Sequence, residues 1–525
     1  MKTFHRFITS LFIASFSITA AIGPAYAVTA EDILSVLLKK GIITQEEFEI
    51  LSKGSPTANV PAKSADMPGK SATTAQERPQ TAPVAKATTS NEEITAKFKD
   101  GITWESADKS TMIGLRGRIE TDYRKYLGDD ALGADTFDVR RAYLAVEGKF
   151  YDDIDFRIRM NFADLNGPTS TVCTAVGTNT SGAPICTATT AVATTNTSHF
   201  DEGWFNLGWW KAAQIRAGQF KMPFSFEQMT SDIFTDFQER SMGDALVPGK
   251  ERGIMLHGAP FKGINYGLAF TNGQGRNGND VNQVVDGKDW IGRFSVNVAE
   301  LAGWNNAIVH LGAAYTTGTI PVTAAPTGRT EARGIQFFQP SAFSGDDVDR
   351  SRYVLESAFA WGPVKLQAEY LNVNFNGTSA GATGTSYDRD IQAYYANLTW
   401  LVTGEHYADS YRGERMVRIH PKNNFAPGKT CCGAWELGLR YSKFDAGDFK
   451  SSNAVGTGVI PATGTSVADA WTLGVKWIVN PNTRFLLNYI RTDFGNTITV
   501  TPSAPGKATQ TDKESAITVR GQFDF

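Results

Sequence analysis

The 525-residue sequence predicts an all-β protein, a sixteen-stranded antiparallel transmembrane β-barrel preceded by a short helical segment and a disordered linker. Three observations carry that reading: an export signal opens the chain, period-two segments recur from about residue 110 to the end, and tight turns alternate with long polar connections. Residues 153–164, DIDFRIRMNFAD, show the pattern in miniature. Ile154, Phe156, Ile158, Met160 and Phe162 fall on one side; Asp155, Arg157, Arg159 and Asn161 fall on the other. Successive strand side chains point to opposite faces, so this is an apolar wall backed by a charged one. Alone it fits a soluble sandwich equally well, and the repeat and the export address decide for a barrel.

Residues 1–27 carry Lys2 and Arg6, an apolar run over 7–21, then Pro24 and Ala25-Tyr26-Ala27. This is a secretory signal with a small-residue cleavage site after Ala27. No later stretch reaches about eighteen uninterrupted apolar residues, which excludes ordinary spanning helices and leaves a closed barrel as the way to cross a membrane. Removing Lys2 and Arg6 takes the formal net charge from -3 to -5, which gives no reason to expect nucleic acid.

Residues 28–54 form a small helical unit, with Thr29 to Asp32 and Thr44 to Glu47 as capping-type starts and Ile33, Leu34, Leu37 and Leu38 as an apolar stripe. So short a stripe packs on copies of itself or on a periplasmic partner such as the cell wall, or it frays without one. Residues 55–109 are a Pro-, Ala- and Thr-rich linker and the approach to the barrel, which fills 110–525.

The first three strands centre on Ile113, Leu115, Ile119 and Tyr123, on Ala142, Leu144, Val146 and Phe150, and on the 154–164 run. Weaker segments follow at 204–210, 215–220 and 254–261. Ten more lie at 264–270, 290–298, 309–315, 353–359, 366–370, 394–402, 435–441, 471–477, 485–489 and 517–525. That makes about sixteen, an even number as bacterial single-chain barrels have. Turns at 151–153, 211–212, 261–263, 361–363 and 480–482 are tight, whereas 165–199, 221–251, 272–288, 317–350 and 443–469 are long. The alternation puts both termini on the periplasmic, short-turn side. Residues 404–433 break it: this connection is long where parity requires a short one. The terminal Phe525 adds a weak barrel signal.

Five segments extend this reading: GQFKMPFSFE at 218–227, FQERS at 237–241, DVRRAYL at 138–144, WLVTGE at 400–405 and GAWELGLRYS at 433–442. In kind and order they resemble the phosphate-selective porin O and P family across 111–525. The resemblance implies an outer-membrane channel, usually a homotrimer, whose third outer loop, here 221–251, folds inward to narrow the pore. The loop suits that role. Pro223 ends a strand, Phe224, Phe226, Met229, Ile233, Phe234 and Phe237 can pack on a wall, and Asp232, Asp236, Glu239 and Arg240 remain for charges or water. Lys221 opens the loop. A surface loop collapsed on its own aromatics is the alternative.

Alternation directs Arg116, Arg118, Arg124, Arg141, Lys149, Arg157, Arg159, Arg216, Arg293, Arg440, Lys476 and Arg520 to the lumen, with Glu120, Asp122, Glu147, Asp155, Asp289, Glu356, Glu369, Glu436 and Asp524. Arg141, Arg157 and Arg159 on neighbouring strands form a basic column for anions, or they brace the wall by pairing with acids. Strict alternation points Arg140 outward, where it is costly unless near an interface. The loop is more acidic than basic, so general passage of small anions is the safer expectation than strict phosphate selectivity.

Cys173 and Cys186 share one outer loop, and a loop-closing disulfide is favoured over two free thiols; for the adjacent Cys431 and Cys432 a vicinal bridge, free thiols or an intermolecular bond all stay open. No zinc spacing, G-x-S-x-G or P-loop pattern occurs, so neither a metal, a cofactor nor an enzyme is expected. His257, His310 and His406 are nominal candidates for a barrel lipase but have no partner in sequence. The competing non-catalytic reading is a structural or adhesive barrel tied to the cell wall through 28–54.

Overall fold

The computed structural model describes residues 94–98, 101–128, 135–163, 170–178, 184–192, 200–276, 287–322, 324–345, 347–380, 384–428, 432–500 and 509–525. The signal segment 1–27, the helical unit 28–54 and most of the linker lie outside the described residues, as do Cys431 and the side chains of Cys173 and Cys186. All described residues belong to one compact unit.

Sixteen antiparallel strands close into a barrel. They are β1 (Met112–Leu127), β2 (Thr136–Phe150), β3 (Ile154–Asn161), β4 (Phe200–Trp210), β5 (Ala213–Lys221), β6 (Lys250–Phe261), β7 (Ile264–Thr271) and β8 (Asp289–Asn297). There follow β9 (Ala307–Ile320), β10 (Val348–Trp361), β11 (Val364–Thr378), β12 (Ser386–Leu401), β13 (Ala434–Asp445), β14 (Val467–Asn480), β15 (Thr483–Val500) and β16 (Thr509–Asp524). Each pairs with its sequence neighbours, and β16 pairs with β1 from Ser515↔Leu127 to Asp524↔Arg118. Closure leaves no unpaired wall edge in lipid, which a spanning sheet requires.

The period-two signal is the period of the wall. In β12, Tyr387, Ile391, Ala393, Tyr395, Asn397, Thr399 and Leu401 point inward and are buried, while Tyr394, Leu398 and Trp400 point outward and are exposed. At one end of that outer face Tyr353, Tyr370, Tyr394, Tyr441 and Trp471 run side by side with successive ring centroids 6.1, 6.5, 6.3 and 4.9 Å apart. At the other end Trp435 stacks on Trp477 at 5.4 Å and Trp477 on Phe485 at 5.8 Å. Two aromatic bands flanking an apolar belt mark the two membrane interfaces.

Two local features depart from strict alternation. Between Glu120↔Arg141 and Thr121↔Val139 the register slips by one, so Arg140 is the extra residue of a bulge. The bulge turns Arg140 inward, against the outward placement that alternation gives, and its guanidinium meets Glu239 at 2.9 Å. Within the linker region Ile102–Glu105 pairs with Met112–Leu115 of β1, alongside the stretch that β16 leaves uncovered, and Thr95–Phe98 pairs with it in turn.

Long connections fill much of the interior. The 321–347 connection brings Phe337, Phe338 and Phe343 against Phe375, Phe444 and Phe449, with Phe338 and Phe449 centroids 5.3 Å apart. The anomalous connection after β12 is long because it folds back into the barrel. Its turn Tyr407–Ser410 leads into a hairpin of Tyr411–Arg412 and Arg415–Met416. Tyr411 Oη lies 2.9 Å from His310 Nδ1 of β9, Glu414 pairs with Arg293 of β8, and the Met416 N–H donates to Thr230 Oγ1 at 3.2 Å.

Candidate permeation pathway

Lumen-facing side chains of the wall meet three incoming segments, and the 222–249 connection touches the most strands. Asp232 takes Arg118 of β1 and Arg141 of β2, each at 2.8 Å. Asp236 takes Lys365 of β11 at 2.6 Å and Asn397 of β12 at 3.1 Å. Glu239 takes Arg140 and, from β16, Arg520, each at 2.9 Å. Between them Phe237 packs where a Cβ on Gly438 or on Gly474 would come within 2.9 Å of its ring, under the Arg440 guanidinium at 4.6 Å. The segment begins as its sequence dictates. Pro223 cannot extend the ladder, Ser225 adopts φ 65° and its hydroxyl caps the helical turn Phe226–Met229 by accepting the Gln228 N–H, and Phe224 and Phe226 are fully buried.

The charges of this segment are shaped by their partners. Burial works to raise the Asp232 and Glu239 carboxyls, but Arg118 and Arg141 at the first and Arg140 and Arg520 at the second outweigh it and hold both well below the usual carboxylate range. Arg240 donates to the carbonyls of Glu227 and Thr230 at 3.2 and 3.1 Å and lies 3.7 Å from Asp244.

The basic residues read from the sequence, with Arg415 added by the structure, divide into two groups. Arg141 pairs with Glu120 at 2.6 Å as well as with Asp232; Arg159 pairs with Asp201 and Glu202, each at 2.6 Å; Arg157 pairs with Glu147 and, at 3.4 Å, with Glu202. Arg116 and Glu147 are 3.1 Å apart, Lys149 and Asp155 3.5 Å, Arg293 and Glu356 2.5 Å, Arg440 and Glu331 2.5 Å. Tyr143 lies between two of these guanidiniums, Arg118 at 4.5 Å and Arg159 at 4.7 Å from its ring.

Arg216, Lys221 and Arg415 form the second group: no ion pair holds any of them among the described residues. Arg216 stacks on Trp204 at 4.2 Å, and the Lys221 ammonium donates only to the Thr230 carbonyl, at 3.4 Å. Arg415 is solvent-exposed, and its electrostatic neighbours include Arg157 and Arg293 as well as Glu414 beside it. Among neighbouring charges Arg415 acts most strongly on Arg216. Two basic groups, one on β5 and one on the 402–433 hairpin, therefore lie near one another.

Several of these residues are absent from the sequence reading. Lys365 was legible, since extending the 366–370 alternation by one residue points it inward. Arg140 was not, because a register slip leaves no trace in periodicity. Glu331, Glu414 and Arg415 lie on connections without a period; for the last two the signal was the excess length of 404–433. His257 bonds Asn206 at 2.7 Å, and His310 sits fully buried between Tyr411 and Glu356.

A closed sixteen-stranded barrel with an aromatic-bounded apolar exterior and a charged interior defines a channel protein of the bacterial outer membrane. The sequence model of the family described as phosphate-selective porin O and P matches residues 113–525, and the chain belongs to that family. It is 23% identical over 435 residues to Porin O of Pseudomonas aeruginosa, covering 77% of this chain and 88% of that protein. Similar solved structures include an anion-selective porin from Comamonas acidovorans (14% identical, TM-score 0.46, covering 79% of this chain and 100% of that one). The outer-membrane channel DcaP of Acinetobacter baumannii is another (10% identical, TM-score 0.43, covering 80% and 99%).

Proposed function

We propose that the channel passes small anions, phosphate among them, and that the path runs along the β3–β6 side of the lumen past Arg157, Arg216, Lys221, Arg240 and Arg415. The 221–251 loop narrows it. One observation carries the reading: Arg216 and Arg415 lie near one another and no ion pair holds either among the described residues, which leaves their charge for a permeant ion. Arg141 and Arg159, doubly paired with acids, serve mainly to brace the wall and seat the loop. Arginine forks suit the oxygens of phosphate and carboxylate alike, so the cluster supports anion preference in general. The protein works as a homotrimer after removal of residues 1–27, and residues 28–54 contact the cell wall.

Planar-bilayer recordings under a salt gradient test the reading, with and without added phosphate. A reversal potential of anion sign is expected, moving toward zero in Arg216→Ala and Arg415→Ala. A silent protein, a strongly cation-selective one, or variants indistinguishable from wild type would defeat it. Arg141→Ala separates bracing from guidance, because its main effect is expected on stability.

A further inference from the structure

The start of the 222–249 connection is fastened by a buried carboxyl that has no cation of its own. Glu369 of β11 accepts the backbone N–H of Glu227 at 2.5 Å and the Tyr395 hydroxyl of β12 at 2.8 Å. No ion pair to Glu369 exists among the described residues. Its cross-strand partner on β10 is another acid, Glu356, whose partners Arg293 of β8 and His310 of β9 lie on its far side. Like charges directly opposite on a sheet are unfavourable.

The Glu227 side chain adds a third carboxyl. Its oxygens accept the Ser241 N–H at 3.2 Å and the Ser241 hydroxyl at 2.8 Å, which ties the start of the connection to its far end. The facing charges are few. Arg440 of β13 is 3.6 Å away but is already held by Glu331 of the 321–347 connection. Arg240 touches the Glu227 carbonyl instead of the carboxyl and is shared with Asp244; Tyr411 and Glu414 of the 402–433 connection engage His310 and Arg293. Three acids thus crowd one dry seat beneath the helical turn Phe226–Met229.

We propose that Glu369 and Glu227 are positioning residues, a carboxyl latch that seats the constriction loop, and that ionisation of Glu227 loosens the latch so that the passage widens as pH rises toward neutrality. This deepens, and rests on, the anion-channel reading above. Burial pushes the Glu227 carboxyl up to about 7, with Arg440 opposing and Asp244 assisting. The sign follows: a raised carboxyl holds its proton more tightly in the seated loop than in water. The seated form is therefore favoured at acid pH and loses that advantage between the ordinary carboxylate range and about 7.

Single-channel recordings in chloride salt at pH 5 to 8 test the latch. In wild type the occupancy of a wider conductance level over the narrow one should rise across this range, by up to roughly 70-fold if the whole shift is expressed. Glu227→Gln, which keeps an accepting oxygen for Ser241 and cannot ionise, should lose most of that rise, leaving only the part that Glu369 contributes. Glu369→Leu, which removes the oxygen that accepts both bonds, should favour the wider level already at pH 5 and still respond to pH. A flat wild-type profile, or a Glu227→Gln profile like that of wild type, overturns the latch. Protection of 222–249 against protease, compared between wild type and Glu227→Gln at each pH, reads the same equilibrium without current. A silent or cation-selective barrel would then fail the channel reading alone, while equal protection in the two proteins would fail the latch.

Discussion

Two sides of one lumen differ sharply. Along β10–β15 the inward face carries a buried apolar cluster, Val354, Leu371, Val373, Phe375, Ile391, Phe444 and Phe494, which packs against Phe337, Phe338 and Phe449 of incoming loops beside buried polar groups such as Glu356, Lys365 and Arg440. Along β3–β5 the inward residues are Asp155, Arg157, Arg159, Glu202, Asn206 and Arg216, paired with one another or reaching solvent. The same period-two wall serves both. What differs is whether the inward face is covered by protein or left polar and partly open, so one half packs as the core of a folded domain and the other is the side along which the proposed anion path runs.

That contrast sets the expected size of each substitution. Glu356→Ala, which strips Arg293 and His310 of their shared acid in the dry half, is expected to cost about 3–5 kcal/mol in denaturant unfolding from micelles. Phe338→Ala should cost a similar 3–5 kcal/mol or so by leaving a cavity between Phe444 and Phe449. Its anion-to-cation permeability ratio should stay at the wild-type value; a large change in selectivity would mean that the dry half conducts. Asp155→Ala, on the wet side, removes a partly exposed partner of Lys149 and should cost under about 1 kcal/mol while shifting the reversal potential further toward anions. Equal unfolding costs for Glu356→Ala and Asp155→Ala would erase the distinction between the halves.

The strands were legible because lipid and water impose opposite demands on alternate residues, and that demand is local. All sixteen segments read from periodicity coincide with strands, including the one at 154–161. Pairing within the lumen was not legible. Several of the acids that engage the predicted arginines come from connections, Asp232, Glu239, Glu331 and Glu414, and a connection carries no period from which its path can be read. Arg140 shows the same limit inside a strand, where one extra residue redirects a side chain. The unexplained length of 404–433 was the useful anomaly: a connection longer than its geometry needs has somewhere else to go.

Gly438 and Gly474 bear on whether the loop and the wall can be exchanged separately. At each, a single added methyl carbon would overlap the Phe237 ring. The height at which the 222–249 segment crosses the barrel is thus written as two missing side chains on β13 and β14. A loop grafted from this barrel into another carries its aromatic peg but not its socket. Grafts that move the two glycines with the loop are the ones expected to keep its level.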